Sequence, residues 1–129
     1  LDAPAPHLAG LLQTHTIAVF EGEMGAVKPT FIKTLCRVMG IADEVSSPTF
    51  SLVNEYRLPD GQPVYHFDFY RINHISEAED MGIFEYFDVG ICLIEWGEKI
   101  AGILEREPRI LVKITPQDGK RFITFETCL

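Results

Sequence analysis

Basic side chains are few in this sequence for its size. Lys and Arg number 11 against 19 Asp and Glu, for a formal net charge of −8, and the cations are scattered. A free-standing nucleic-acid binder carries a basic patch or stripe, so any link to nucleic acid is expected to run through a partner protein. Cysteine is scarce as well. Cys36, Cys92 and Cys128 are odd in number and far apart, which fits neither a disulfide framework nor a zinc spacing and leaves three reduced thiols of a cytoplasmic protein. No apolar run approaches the ~18 residues of a membrane span, and no signal peptide is visible, so no membrane association is expected. An opening on Leu1 in place of Met is what a trimmed natural N-terminus leaves. Repeats, low-complexity tracts and linkers are absent too.

What remains is ordinary globular material. At 129 residues, 47% hydrophobic and 23% charged, the chain is long enough to bury a core and too apolar for disorder. The expectation is one domain over residues 1–129.

Thr16 to Phe20 reads as a buried strand, and Phe31, Ile32, Leu35, Val38 and Met39 recur at helical spacing before Gly40, a helix-ending residue. Leu8, Leu11 and Leu12 share the face of a short first helix. Residues 51–57 and 64–70 alternate around the Pro59-Asp60-Gly61 turn, predicting an antiparallel hairpin. Ser76 and Glu79 have capping-box spacing. Ile91 to Ile94 is a compact apolar strand, followed by a helical face at Ile100, Ile103 and Leu104. Arg109–Thr115 and Arg121–Thr127 pair across Asp118-Gly119. Helices and strands alternate, but the hairpins break strict β-α-β order, so the fold class is α/β with a mixed sheet.

The chemistry gathers around Glu21 to Thr30. A strand, a Gly-rich loop with a lysine, then a helix is the phosphate-cradling arrangement of a P-loop, G-x-x-x-x-G-K-[ST]. Gly22, Gly25 and Lys28 can serve it, whereas Val27 stands at the second glycine and Pro29 at the hydroxyl that binds Mg²⁺. The plainer reading is a Gly-rich turn before a helix with a solvated lysine. Glu95 ends an apolar strand, where a Walker-B-like carboxylate holds Mg²⁺ or polarises water; alone it is an ordinary acid opening a loop. Trp96, the sole tryptophan, reads equally as a buried anchor. His66, Asp68 and Tyr70 share a strand face, as a metal pair or as a hydrogen-bonded couple. Arg71 either stabilises phosphate charge or pairs with an acid. Thr49, in Ser46-Ser-Pro-Thr-Phe50, is placed like a γ-phosphate-sensing switch or a rigid turn.

Taken together, Gly22-Glu-Met-Gly-Ala-x-Lys-x-Thr-Phe31, Ser47-Pro-Thr-Phe-Ser-Leu-Val-Asn-Glu-Tyr56, Tyr65-His-Phe-Asp-x-Tyr-Arg71 and Leu93-Ile-Glu-Trp96 resemble the TsaE (YjeE) family. Its members are P-loop ATPases of bacterial tRNA threonylcarbamoyladenosine (t6A) synthesis. The resemblance covers nearly the whole chain after the first helix. It implies a three-layer P-loop NTPase-like fold with a mixed central sheet and flanking helices, binding ATP and Mg²⁺. It implies association with the TsaB–TsaD complex, which transfers threonylcarbamoyl to adenosine 37, the ATPase cycle supporting turnover and tRNA contacted only through the partners. Carried over residue by residue, the nucleotide site comprises Gly22, Glu23, Met24, Gly25, Ala26, Val27, Lys28, Pro29 and Thr30, with Thr49 and Trp96 beside it. Lys28, Asp68 and Glu95 take the catalytic roles, and Asp68 and Glu95 surround Mg²⁺.

The two departures have a size. A β-branched Val27 held in strained backbone costs about 1–3 kcal/mol. Pro29 lacks an N–H to donate to charged phosphate, about 1.5–3 kcal/mol, and disfavours helical backbone at Lys28. Thr30 is one residue on, about 100° around a helix, and is no automatic substitute. Two readings follow: a working ATPase with weakened nucleotide binding, or a non-catalytic interaction subunit of the same complex. A small-molecule kinase is disfavoured, because no acceptor segment or lid is apparent.

Overall fold

The computed structural model describes residues 4–22, 27–48 and 52–128, with Val27 described in its backbone alone. Helix α1 (Pro4–Leu11) precedes β1 (Ile17–Gly22), and α2 (Val27–Val38) follows it. The hairpin β2 (Val53–Arg57) and β3 (Pro63–Asp68) leads to the short helices α3 (Ser76–Asp80) and α4 (Ile83–Val89). Strand β4 (Ile91–Glu95), a 3₁₀ turn (Gly97–Ile100), α5 (Ala101–Leu104) and the hairpin β5 (Arg109–Gln117) and β6 (Lys120–Cys128) complete the order.

Six strands form one mixed sheet in the order β2-β3-β4-β1-β5-β6. The central strands β3, β4, β1 and β5 run parallel, and the antiparallel β2 and β6 close the two edges. Parallel strands are covered on both faces and so are apolar throughout; every residue of β4 is buried. The two-residue alternation of side chains then sorts the core into two clusters. Ala18, Phe20, Val64 and Leu93 pack under Leu8 of α1 and Phe31, Ile32 and Leu35 of α2. Ile17, Val19, Phe67 and Ile94 face Ala78, Ile83, Phe87, Ile103 and Leu104. The result is the expected three layers: α1 and α2, the sheet, then α3, α4 and α5.

Several boundaries moved for physical reasons. Helix α2 begins at Val27, four residues before the apolar periodicity does, so Lys28 is helical although Pro29 follows it. The first turn tolerates this because the N–H that Pro lacks has no partner inside a helix there. Ser76 is a helical residue and caps nothing. Its place is taken by Glu77, whose Oε2 accepts the backbone N–H of Asn73 at 2.7 Å and of His74 at 2.9 Å. Strand β3 stops at Asp68, where Oδ1 accepts the N–H of Tyr70 at 3.0 Å and turns the chain, so Tyr70 lies beyond the strand. Gly40 takes φ +89° at the end of α2, with the Ile41 N–H donating to the Cys36 carbonyl, and the β5–β6 turn holds Asp118 at φ 52° and Gly119 at φ 75°. Those are the sign and place that a C′ glycine and a tight two-residue hairpin turn require. Burial pushes the thiols of Cys36 and Cys92 up to about 12, which leaves both inert. Among the described residues, no helix is long and apolar enough to cross a membrane.

Candidate functional site

Strands β1, β3 and β4 run the same way, so Gly22, Asp68 and Glu95 end at one edge of the sheet. That edge, outside the carboxyl ends of parallel strands, is where open α/β sheets bind ligands. Alternation puts His66, Asp68 and Glu95 on the α2 face, with Phe20 beside Glu95 in the β1–β4 register and Asp68 beside it in the β3–β4 register. Gly22 is held by close approach: a Cβ there would lie 2.7 Å from the carbonyl oxygen of Ile114 on β5. Helix α2 starts five residues later, and its first turn brings a partial positive charge to this edge.

Lys28, the second residue of α2, is only 6% exposed. Its Nζ stands 5.0 Å from the ring centroid of Trp96. Trp96 in turn packs against Tyr70, with ring centroids 4.9 Å apart. Among the described residues, no carboxylate lies within ion-pair distance of Nζ. The cation therefore rests on the indole face, an attraction of about 1–2 kcal/mol when desolvated. Trp96 holds φ 60° and ψ 41°, a left-handed conformation unusual for a bulky residue. The glycine that could have taken it, Gly97, is committed to packing: a Cβ there would meet Val19 Cγ1 at 2.6 Å and Leu104 Cδ1 at 3.0 Å.

Glu95 is 4% exposed and His66 1% exposed. His66 Nε2 and Glu95 Oε2 are 2.8 Å apart. The sequence paired His66 with Asp68; the sheet pairs it with Glu95 on the neighbouring strand. Asp68 is half-buried and spends Oδ1 on Tyr70. Adjacent strands are about 4.8 Å apart, so the carboxylates of Asp68 and Glu95 rise side by side. Among the described residues, no group of three or more His, Cys, Asp and Glu could hold a metal. Two carboxylates side by side suit Mg²⁺, which takes one or two protein oxygens and completes its shell from water or a bound anion.

The structure thus brings Gly22, Lys28, Asp68, Glu95 and Trp96 to one edge. Pro29 and Thr30 occupy the same first turn of α2, with Thr30 exposed. Glu23, Met24, Gly25, Ala26 and Thr49 lie outside the described residues. Just before Thr49, the loop is tied to β2: the hydroxyl of Tyr56 donates to the Ser46 carbonyl at 3.0 Å and accepts the Ser46 N–H at 3.1 Å. Arg71 is exposed on the turn after β3. His66 and Tyr70, which the sequence placed on a strand face with Asp68 without giving them a part in the site, touch Glu95 and Trp96. For His66 the signal was present, since its parity with Asp68 and Glu95 follows once β3 and β4 are laid parallel. A groove of about 590 Å³ near Leu12, Thr16 and Ile91 lies at the other end of the strands, where β1 and β4 begin.

A strand ending in a close-packed glycine, a helix opening with a buried lysine, and an acidic strand end beside it belong to the P-loop NTPase-like fold. The crystal structure of YdiB from Bacillus subtilis shares the architecture with a TM-score of 0.68 and 30% identity, covering 99% of this chain and 80% of that one. Residues 1–123 match the family described as "Threonylcarbamoyl adenosine biosynthesis protein TsaE". The tRNA threonylcarbamoyladenosine biosynthesis protein TsaE of Haemophilus influenzae is 43% identical over 118 residues, 88% of this chain and 73% of that protein. Its Bacillus subtilis counterpart is 41% identical over 111 residues, 84% of this chain and 68% of that protein. The chain belongs to the TsaE family.

Proposed function

We propose that this protein is a single-domain, cytoplasmic ATPase that binds Mg·ATP at the edge formed by Gly22, Lys28, Asp68 and Glu95, and serves t6A37 modification of tRNA beside the TsaB–TsaD complex. The observation that carries the reading is Lys28: a buried ammonium at a helix N-terminus, with only an aromatic ring for a partner among the described residues, is a site prepared for an anion. Lys28 and the N-terminal turn of α2 would hold the phosphates. Asp68 and Glu95 would hold Mg²⁺, which when bound neutralises phosphate charge. Glu95, fixed at the strand end, would orient the attacking water, and Trp96 would shield the site. The net charge of −8 supports a division of labour in which the partners grip the tRNA.

Pro29 favours a second reading, a non-catalytic interaction subunit, because it removes one N–H from the anion-binding turn. The two separate on one experiment. Mg-dependent ATP turnover, stimulated by TsaB–TsaD and abolished by Lys28→Ala or Glu95→Ala, establishes the ATPase. Partner binding indifferent to both substitutions, without turnover, establishes the interaction subunit.

A further inference from the structure

We infer that His66 is a positioning residue for Glu95, fixing one carboxylate oxygen so that the other faces the ligand crevice. The inference rests on the ATPase reading above. Its basis is the buried contact of 2.8 Å between His66 Nε2 and Glu95 Oε2, made across two parallel strands from one face of the sheet.

Two further observations give the contact a direction. Among the described residues, His66 Nδ1 is the one enclosed side-chain polar atom without a hydrogen-bond partner. An orphaned ring N–H is worse satisfied than an orphaned lone pair, so the proton belongs on Nε2, which donates to Glu95. A histidine kept only for packing would not leave a nitrogen stranded in the core; an aliphatic side chain fills such a place without that cost. The second observation concerns Glu95. No hydrogen bond among the described residues reaches its Oε1, yet Oε1 is not among the enclosed, unpartnered atoms. Oε1 is therefore the oxygen open to the crevice, while Oε2 is held from below. Asp68 cannot do this for Glu95, since a carboxylate accepts hydrogen bonds and has no N–H to donate.

The test compares His66→Gln, which keeps an N–H donor near the position of Nε2, with His66→Leu, which keeps apolar bulk and donates nothing. Each is assayed with the assembled partner complex for ATP turnover. Each is also titrated with Mg²⁺ at fixed ATP, reading nucleotide binding from the fluorescence of Trp96. His66→Leu is expected to lower kcat at least tenfold with the KM for ATP within threefold, and to raise the Mg²⁺ half-saturation at least threefold. His66→Gln is expected to recover most of both. Equal impairment of the two variants, or a His66→Leu protein matching wild type in kcat and Mg²⁺ half-saturation, overturns the role of His66 alone. A wild-type protein that fails to bind Mg·ATP overturns the nucleotide reading first and the positioning role with it.

Discussion

Replacing Pro29 by Thr should tighten Mg·ATP binding by roughly ten- to a hundredfold. Helix α2 opens at Val27, so Pro29 is its third residue. The first four N–H groups of a helix have no carbonyl partner inside it, and Pro29 removes one donor from the turn that would face an anion here. A hydrogen bond to a charged group contributes about 1.5–3 kcal/mol, and each ~1.4 kcal/mol is tenfold in affinity. Folding should hardly notice the change, because Pro costs little in a first turn where its missing N–H had no helical partner. Trp96 is the only tryptophan and its ring carries Lys28 Nζ. Its emission should shift as the phosphates draw the ammonium away, which makes fluorescence titration, checked by calorimetry, the assay. Affinity within twofold of wild type in a folded Pro29→Thr protein would refute the claim that the first-turn N–H groups hold the phosphates.

Other substitutions test the scaffold around the site. Gly97→Ala should destabilise the protein by about 1–3 kcal/mol in urea denaturation, since the new Cβ would press on Val19 and Leu104 in the core; an unchanged midpoint contradicts the packing. Tyr56→Phe removes both hydroxyl bonds to Ser46. It should cost about 1–3 kcal/mol and raise hydrogen exchange of residues 43–48, and unaltered exchange would show that the loop is held otherwise. The backbone N–H groups of His74 and Asn73 hold the Glu77 carboxyl below its ordinary range. Because the folded value lies below the unfolded one, the stabilisation is complete above the ordinary carboxylate range, about 4.3, and is lost as pH falls through the folded value. Protection factors at the start of α3, taken against the intrinsic exchange rate at each pH, should fall in that acid window and stay level there in Glu77→Gln. An NMR titration placing Glu77 at the ordinary value would exclude this cap.

How much of the site was legible in sequence depended on whether its signal was local. Gly22 and Lys28 sit at fixed places around one loop, and Glu95 is the acidic end of an apolar strand, so each could be named without a fold. The hairpins were equally plain, because Pro59-Asp60-Gly61 and Asp118-Gly119 punctuate alternating runs. Helix α2 was placed four residues late because its first turn carries no apolar periodicity and contains a proline, a local preference that the surrounding structure overrode. Ser76 had the right spacing for a cap, yet the helix begins with Ser76 already inside it, and the carboxylate of Glu77 instead reaches back to the N–H groups of Asn73 and His74.

By itself, then, the sequence determined the class of the protein, the strands and helices that make it, and the loop around which the chemistry gathers. Those follow from periodicity, turn chemistry and motif spacing, all of which act within a few residues. Only the tertiary structure decided who touches whom. Laying β3 parallel to β4 took His66 from its neighbour Asp68 and gave it to Glu95, 29 residues away. The left-handed turn at Trp96, just before the close-packed Gly97, sets the indole against the lysine of α2. Neither pairing has a local signature, because each is set by strand order and register, which no short stretch of chain encodes.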